Sequence, residues 1–420
     1  MEILVARGAG LDVHRDSIVA VVLVGVRKVK KELRKFGTTS DELAKLRQWL
    51  QHHKVTHVAM EATGVYWFPI VEALEGQFEL VVANAHRVKN VPGRKTDACD
   101  AEWLARLLRH GLINSSFVPP PWQRQLRTLT RSRRSLMHSI TRERNMVLKL
   151  LESIGIKLAS VMSDVFGVSG MAILRALRDG NEDPEQLSAL AKGRLRRKTA
   201  NIVAAIRGRT LAPAHRLVLA QHLRALDFLE EQAQQLDAAI AALVKPYSDI
   251  IARLCTIPGV DLTIATVILA EVGPDVVAFP TCAQFAAWSG TCPGNGRSAN
   301  RSKPTHARKG NIHLTTALVQ AAVSASRTKK PTFLREKYRR LVPRRGPKRA
   351  AVAVAHKIAI AVYHILRHGT VFKDRDPASI DPRTKKRTIE RLVQRLQELG
   401  FDPATLKNPA PNAVPQVSFS

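Results

Sequence analysis

The chain has 420 residues, 45% of them hydrophobic, which is enough for two or three domains with apolar cores and excludes a disordered polypeptide. Its 66 Lys and Arg against 35 Asp and Glu leave a formal charge of +31, so a polyanionic partner is expected rather than a merely solvated basic surface. Four cysteines (Cys99, Cys255, Cys282, Cys292) with no C-x-x-C pair argue against a zinc ribbon. They point instead to a reducing, cytoplasmic compartment, with no signal-peptide pattern and no membrane partner, since the run Ile18 to Val26 is too short to span a bilayer.

In chain order, three short strands are predicted at Gly10 to His14, Ser17 to Val24 and Lys28 to Phe36, close enough to be hairpin-linked and antiparallel. Ser40 reads as the cap of a helix through Leu50, Thr56 to Glu61 as a buried strand, Val65 to Leu74 as a helix and Phe78 to Ala83 as a strand. The stretch Pro92 to Arg109 reads as one more helix, with Thr96 as N-cap, Asp97 in the first turn and Leu104, Leu107 and Leu108 as its apolar stripe. This βββαβαβα order specifies a mixed α/β sheet over residues 1–115, and it is the order of a ribonuclease H fold.

Four acids stand out against that layout. Asp12 lies on the first strand and Glu61 at the C-terminal end of the fourth, each in an otherwise apolar strand where an unpaired buried carboxylate costs several kcal/mol, roughly. Asp97 and Asp100, three apart, leave one face of the last helix. Taken singly, Asp12 pairs with Arg15, Glu61 caps, and the helix dipole explains Asp97 and Asp100. Taken together, four hard oxygen ligands suit Mg²⁺, with Mn²⁺ as a substitute, and a pair of such ions clamps the attacking and leaving oxygens of a phosphodiester.

Residues 116–248 read as helical. Leu126, Leu129, Leu136, Ile140, Val147 and Leu150 form one seam and Leu226, Leu229, Ala233, Leu236, Ile240 and Leu243 another, which fits an intramolecular hairpin or a dimer zipper equally well. Between them, Lys192, Arg194, Arg196, Arg197, Lys198, Arg207 and Arg209 form either a solvated face or a surface that tracks a nucleic-acid backbone.

Residues 249–373 begin with Cys255-Thr-Ile-Pro258-Gly259-Val260 before an apolar helix, Leu262 to Glu271. This is either the second half of a helix-hairpin-helix offering backbone N–H groups to phosphate, or a plain helix start. From Val276 to Lys373 one carboxylate, Glu336, faces nineteen Lys and Arg, a formal +18 expected to lie on nucleic acid. Inside is a turn-rich loop in which Arg297, Arg301, Lys303, Arg308 and Lys309 surround Ser298 and Ser302. Such a serine is either one more phosphate contact or a nucleophile that forms a covalent DNA–protein link while the cations absorb charge. Cys282 and Cys292 with His306 and His313 match no metal spacing and read as structural. The remainder, residues 374–420, reads as a basic helix, Arg383 to Leu399, and a disordered end.

These motifs carry a resemblance over most of the chain. Asp12, Glu61 and the phrase Lys-Thr-Asp97-x-x-Asp100-Ala resemble the DEDD transposases of the bridge-RNA-guided insertion-sequence family, relatives of the DNA invertase Piv. Ile-Pro-Gly-Val, Phe-x-x-Trp-Ser-Gly-x-Cys-Pro-Gly-Asn, Arg-Ser-Ala and Arg-Lys-Gly-Asn resemble that family's C-terminal transposase domain. The resemblance implies an α/β plus mainly α protein with a ribonuclease-H-like domain. It implies a bacterial recombinase that cuts and rejoins donor and target DNA, an element-encoded noncoding RNA partner, and a homodimer or higher assembly. It assigns Asp12, Glu61, Asp97 and Asp100 to metal binding and Ser298 to nucleophilic attack. Asn300 and Arg301 stand where the family has Gly and Lys, which keeps Ser302 in contention. The rival readings are a Holliday-junction resolvase-like metal nuclease, a Piv-like site-specific invertase and a nucleic-acid-binding architectural protein. The acid-free serine loop speaks against the resolvase and the strand-end acids against the architectural protein.

Overall fold

Runs of β-branched and small apolar residues near the N-terminus build a sheet, and long 3–4 patterned segments after Pro120 build helices. The computed structural model describes residues 2–62, 64–83, 100–113, 115–293, 297–298, 301–302, 307, 310–374 and 382–399, with 297–298, 301–302, 382–388 and 392 as backbone only. It divides into two compact units, Met1–Pro120 and Pro121–Ser420.

The first unit runs β1 (Arg7–Val13), β2 (Ile18–Val24), β3 (Lys30–Phe36), α1 (Ser40–His52), β4 (His57–Glu61), α2 (Trp67–Leu74), β5 (Glu79–Ala83) and α3 (Asp100–Arg109). The five strands are ordered β3-β2-β1-β4-β5, with β2 antiparallel to β1 and β3, and β4 parallel to β1 and β5. The strand β1 starts three residues before the expected Gly10, because its ladder with β2 runs from Arg7↔Val24 to Val13↔Ile18. Ser40 is the first residue of α1, and Thr39 holds the N-cap position without a side-chain cap bond. One sheet face, with Ala9, Leu11, Val58 and Met60, packs on Leu46 and Leu50 of α1 and Ile70 and Leu74 of α2. The other is covered by α3, whose Ala101 and Ala105 meet Val21 and Leu23 while Leu104, Leu107 and Leu108 meet Ala59 and Ala83.

In the second unit the two predicted seams are the helices α4 (Pro121–Ser153) and, after α5 (Leu158–Val161), α6 (Val168–Arg178), α7 (Pro184–Ala189) and α8 (Thr199–Ile206), the helix α9 (Pro213–Val244). The pairs Arg133–Asp237, Arg144–Glu230 (2.8 Å) and His222–Glu143 (2.7 Å) set α4 and α9 antiparallel within the chain, so the hairpin alternative holds for these seams. Arg133, Glu230 and Asp237 fall on the heptad positions that Leu126, Ile140, Leu223 and Val244 otherwise fill, so ion pairs fix the register mid-seam. At one end of the pair Ile140, Val147, Leu219 and Leu226 share a core with α6 and α8. At the other, Leu126, Ile240 and Val244 share one with α10 (Ser248–Cys255), α11 (Leu262–Val272), α12 (Cys282–Trp288), α13 (Ile312–Ser326), α14 (Phe333–Arg345) and α15 (Pro347–His368). A two-rung hairpin, β6 (Arg297–Ser298) and β7 (Arg301–Ser302), precedes α13, and α16 (Pro382–Glu398) follows α15.

The helix α15 is long and apolar enough to cross a membrane by length and composition, with mean hydropathy 1.4. A search for uninterrupted apolar runs passes over it because His356 and Lys357 break the run. In the fold it is a core helix: Val354, Ala355, Ile358, Ala359 and Val362 are fully buried.

Candidate DNA-processing site

The position of the acids follows from strand register. On β1 the residues alternate between Ala9, Leu11 and Val13 on the α1 and α2 face and Gly8, Gly10 and Asp12 on the α3 face. The parallel ladder pairs Gly8↔His57 through Leu11↔Met60, so Asp12 and Glu61 form the next pair, on the face where Ala59 meets α3. Gly10 makes the packing of α3 possible: a Cβ there would lie 2.0 Å from the Ala101 carbonyl oxygen and 2.5 Å from the Ala105 nitrogen. Gly8 faces Leu108 and Arg109 while Gly10 faces Ala101 and Ala105, so α3 runs against β1 and its start lies toward the end that carries Asp12 and Glu61. Asp100, the first residue of α3, is exposed there. Asp97, Thr96 and Cys99 lie outside the described residues.

Asp12 is a partly accessible carboxylate, 26% exposed, whose Oδ2 lies 3.2 Å from Nε2 of His14. Arg15 turns instead to Asp16, at 3.7 Å, so a pairing of Asp12 with Arg15 does not explain the acid. Glu61 makes no side-chain hydrogen bond or ion pair among the described residues. No group of three His, Cys, Asp or Glu among the described residues is spaced to hold a metal. The donors present are carboxylate oxygens on adjacent strand ends and a helix start, a chemistry that suits a hard divalent cation.

The sequence reading missed Glu102. It sits in the first turn of α3, is 4% exposed, and accepts hydrogen bonds from Lys31 on β3 and from Arg106 (2.6 Å). The Lys31 bond, against the opposing effect of burial, holds its carboxyl below the usual range, and it ties the edge strand to the helix. The clue available was angular, since two residues on from Asp100 a helical side chain points to a different face.

The serine loop is organised at its base. Trp288 accepts from the Asn311 N–H (3.1 Å), Ser289 from the Thr315 hydroxyl (2.5 Å), and Pro293 and Ala307 form an antiparallel bridge. Gly290, at φ +73°, and Gly310 touch through their backbones: a Cβ on Gly310 would lie 2.4 Å from the Gly290 nitrogen. Above the base, the backbone register sets Ser298 opposite Arg301 and Arg297 opposite Ser302, so the two serines occupy different rungs. Lys303, His306, Arg308 and Lys309 lie outside the described residues.

Asn311 caps α13, accepting from the N–H groups of His313 (3.0 Å) and Leu314 (3.1 Å), and its Nδ2 donates to Glu271 Oε2 (2.7 Å). Glu271 is fully buried on α11 and takes both fork bonds of Arg131, 2.9 Å each, with the Arg127 Nε 3.5 Å away. Burial alone would push this carboxyl up, but the Arg131 bond, the Arg127 charge and Asn311 together hold it below its ordinary value. Burial lowers the Arg127 guanidinium to about 10, against the raising effect of Glu271. A buried ion network thus anchors the residue at which the loop rejoins a helix.

The Ile-Pro-Gly-Val turn is packed rather than open. Gly259 has φ +86°, and a Cβ there would lie 2.2 Å from the Ala321 carbonyl oxygen on α13. Asp261 caps α11 through the Ile264 N–H (2.8 Å), setting a carboxylate where a phosphate would otherwise dock. The basic residues Lys192, Arg194, Arg196, Arg197, Lys198, Arg207 and Arg209 are all exposed around α8 and the turn before it. The Cys292 thiol lies 3.7 Å from His356 Nδ1, inside the second unit.

Two family models match the chain. One, a DEDD-type IS110 transposase described as "Transposase", matches residues 9–156, from β1 into α4; the other, "Transposase IS116/IS110/IS902 family", matches residues 251–339 and includes the serine loop. The chain is 30% identical over 162 residues to the insertion element IS110 uncharacterized 43.6 kDa protein of Streptomyces coelicolor, an alignment spanning 37% of this chain and 38% of that relative. Both matched segments carry the residues whose geometry is described above, and the chain belongs to the IS116/IS110/IS902 family of transposases.

Proposed function

We propose that the chain catalyses DNA strand cleavage and rejoining in the transposition of an insertion sequence. The observation that carries this reading is the placement of Asp12 and Glu61 at adjacent strand ends, under a helix whose start, with Asp100, lies toward the same end. The strand order supports assigning the first unit to the ribonuclease-H-like class. Asp12, Glu61, Asp97 and Asp100 would hold Mg²⁺ or Mn²⁺, which when bound supplies positive charge at the leaving oxygen. Ser298 attacks the phosphorus, forming a phosphoserine bond as a deoxyribose oxygen leaves, and Arg297, Arg301, Lys303, Arg308 and Lys309 neutralise the developing charge. Donor and target DNA are the substrates; a noncoding RNA guides their choice, and the working assembly is a dimer or larger.

The test is a reaction with nicked suicide DNA followed by denaturing electrophoresis and peptide mapping. Ser298→Ala should bind DNA, since one hydroxyl is lost from a surface of many cations, yet form no covalent adduct, while Ser302→Ala still forms it. If both variants cleave normally, the serine mechanism fails and a metal-only nuclease is the better account.

A further inference from the structure

Arg127, Arg131 and Arg134 recur on α4 at i, i+4 and i+7, so they rise from one face of that helix. That face borders a cavity of about 590 Å³ between α4, α9, α11 and α13, with Arg131, Arg133, Arg134, His313 and Glu271 on its wall and Met137 and Val267 among its apolar lining. The charges in it do not balance. Arg127 and Arg131 share the single carboxylate of Glu271, and Arg133 is matched by Asp237. Arg134, half-buried, has no carboxylate partner among the described residues: Nη1 is 3.5 Å from His313 Nδ1 and Nη2 is 3.3 Å from Thr316 Oγ1.

Three guanidinium groups and one imidazole on the wall (Arg131, Arg133, Arg134, His313) thus meet two carboxylates, Glu271 and Asp237, and His138 adds another imidazole to the lining. Burial first, then the Arg131 charge, holds the His313 imidazole below its ordinary value. With Nδ1 turned to the Arg134 guanidinium, Nε2 carries the ring proton and is a donor. A partly desolvated cluster of donors with excess positive charge lacks an anion, and planar guanidinium forks match phosphate oxygens. His313 follows Asn311 by two residues, so the cavity adjoins the point where the serine loop rejoins α13.

We propose that this cavity is a phosphate site that takes one backbone phosphodiester of DNA on Arg131 and Arg134, with His313 Nε2 as a third donor. The proposal rests on the reading that the chain acts on DNA. It makes Arg134 a binding group whose unpaired charge is carried at the expense of stability.

The experiment uses the full chain and a duplex DNA oligonucleotide, with affinity followed as salt rises. Arg134→Gln should weaken binding roughly tenfold, flatten the log–log salt slope by about 0.9, and leave the melting temperature unchanged or higher; Arg134→Lys should restore the slope. By NMR, the duplex should raise the His313 pKa in the wild type. An unchanged slope in Arg134→Gln overturns the proposal whatever its melting temperature does. So does a His313 response to inorganic phosphate alone, which marks an adventitious ion only, or to RNA but not DNA. Binding slopes need no strand transfer, so an inactive recombinase would leave this test standing, and a failed slope would leave the serine assay standing.

Discussion

In the first unit the candidate acids stand one residue beyond the last paired rung of two parallel strands, Leu11↔Met60, under a helix whose backbone lies directly on Gly10. In the second, Ser298 stands in a two-rung hairpin whose loop is held, among the described residues, at its base, by Gly290 against Gly310 and by Asn311 bonded to Glu271. Ladder hydrogen bonds fix the first pair of residues, and a buried ion network fixes the approach to the second. The difference teaches that one site tolerates little change in its own backbone, whereas the other depends on residues far from it in sequence.

The largest expected effect lies on the sheet. Glu61→Gln or Asp97→Asn should reduce recombination to background while DNA and RNA binding stay nearly intact, because each removes one of the oxygen ligands proposed for the metal. Recombination at wild-type rate in Mg²⁺ by either variant, measured on plasmid substrates, would show the acids to be structural.

Next come the two backbone contacts. Gly10→Ala should destabilise the first unit by about 3 kcal/mol in denaturant melts, since the new methyl meets the α3 backbone. Gly310→Ala should leave the helical core of the second unit melting as before and abolish the serine adduct. If Gly310→Ala forms adduct normally, the loop base does not position the serine.

The two buried acids give a smaller contrast. Glu271→Gln leaves the largely buried Arg127 and the half-exposed Arg131 without their carboxylate and should cost about 3 kcal/mol. Glu102→Gln, whose partners Lys31 and Arg106 reach solvent, should cost about 1 kcal/mol. Equal costs in urea melts would remove the distinction.

The smallest effect is a pH dependence confined to the second unit. Burial holds both His313 and His356 below the ordinary value of 6.5, so the folded chain keeps them neutral while the unfolded chain takes up protons. Stability from these groups is therefore complete above 6.5 and falls as pH drops below it. A His313→Gln, His356→Gln double variant should show a flatter melting temperature between neutral and acid pH, and an unchanged profile would place the titration elsewhere.

The five strands, their antiparallel start and the two long helical seams were legible in the sequence because local patterns mark them, such as an uninterrupted, largely β-branched apolar run in Ile18–Val24 and 3–4 spacing in Pro121–Ser153 and Pro213–Val244. Asp12 and Glu61 were legible because a carboxylate is out of place in an apolar strand. Gly8 and Gly10 carried the signal for α3, yet a glycine in a strand reads equally as a weak point until the helix that lies on it is known. Other features depended on partners far apart in the sequence. The sequence left two pairings open for the seams, hairpin or zipper, and α4 and α9 chose each other through ion pairs such as Arg133 with Asp237. Glu271 reads locally as the last turn of an apolar helix, and only the tertiary structure brings Arg131 and Asn311 to it, 140 and 40 residues away. Local pattern determines what each segment is, because backbone geometry repeats over a few residues. The matching of buried charge is decided only when distant helices meet, because no short-range rule says which cation will reach which carboxylate.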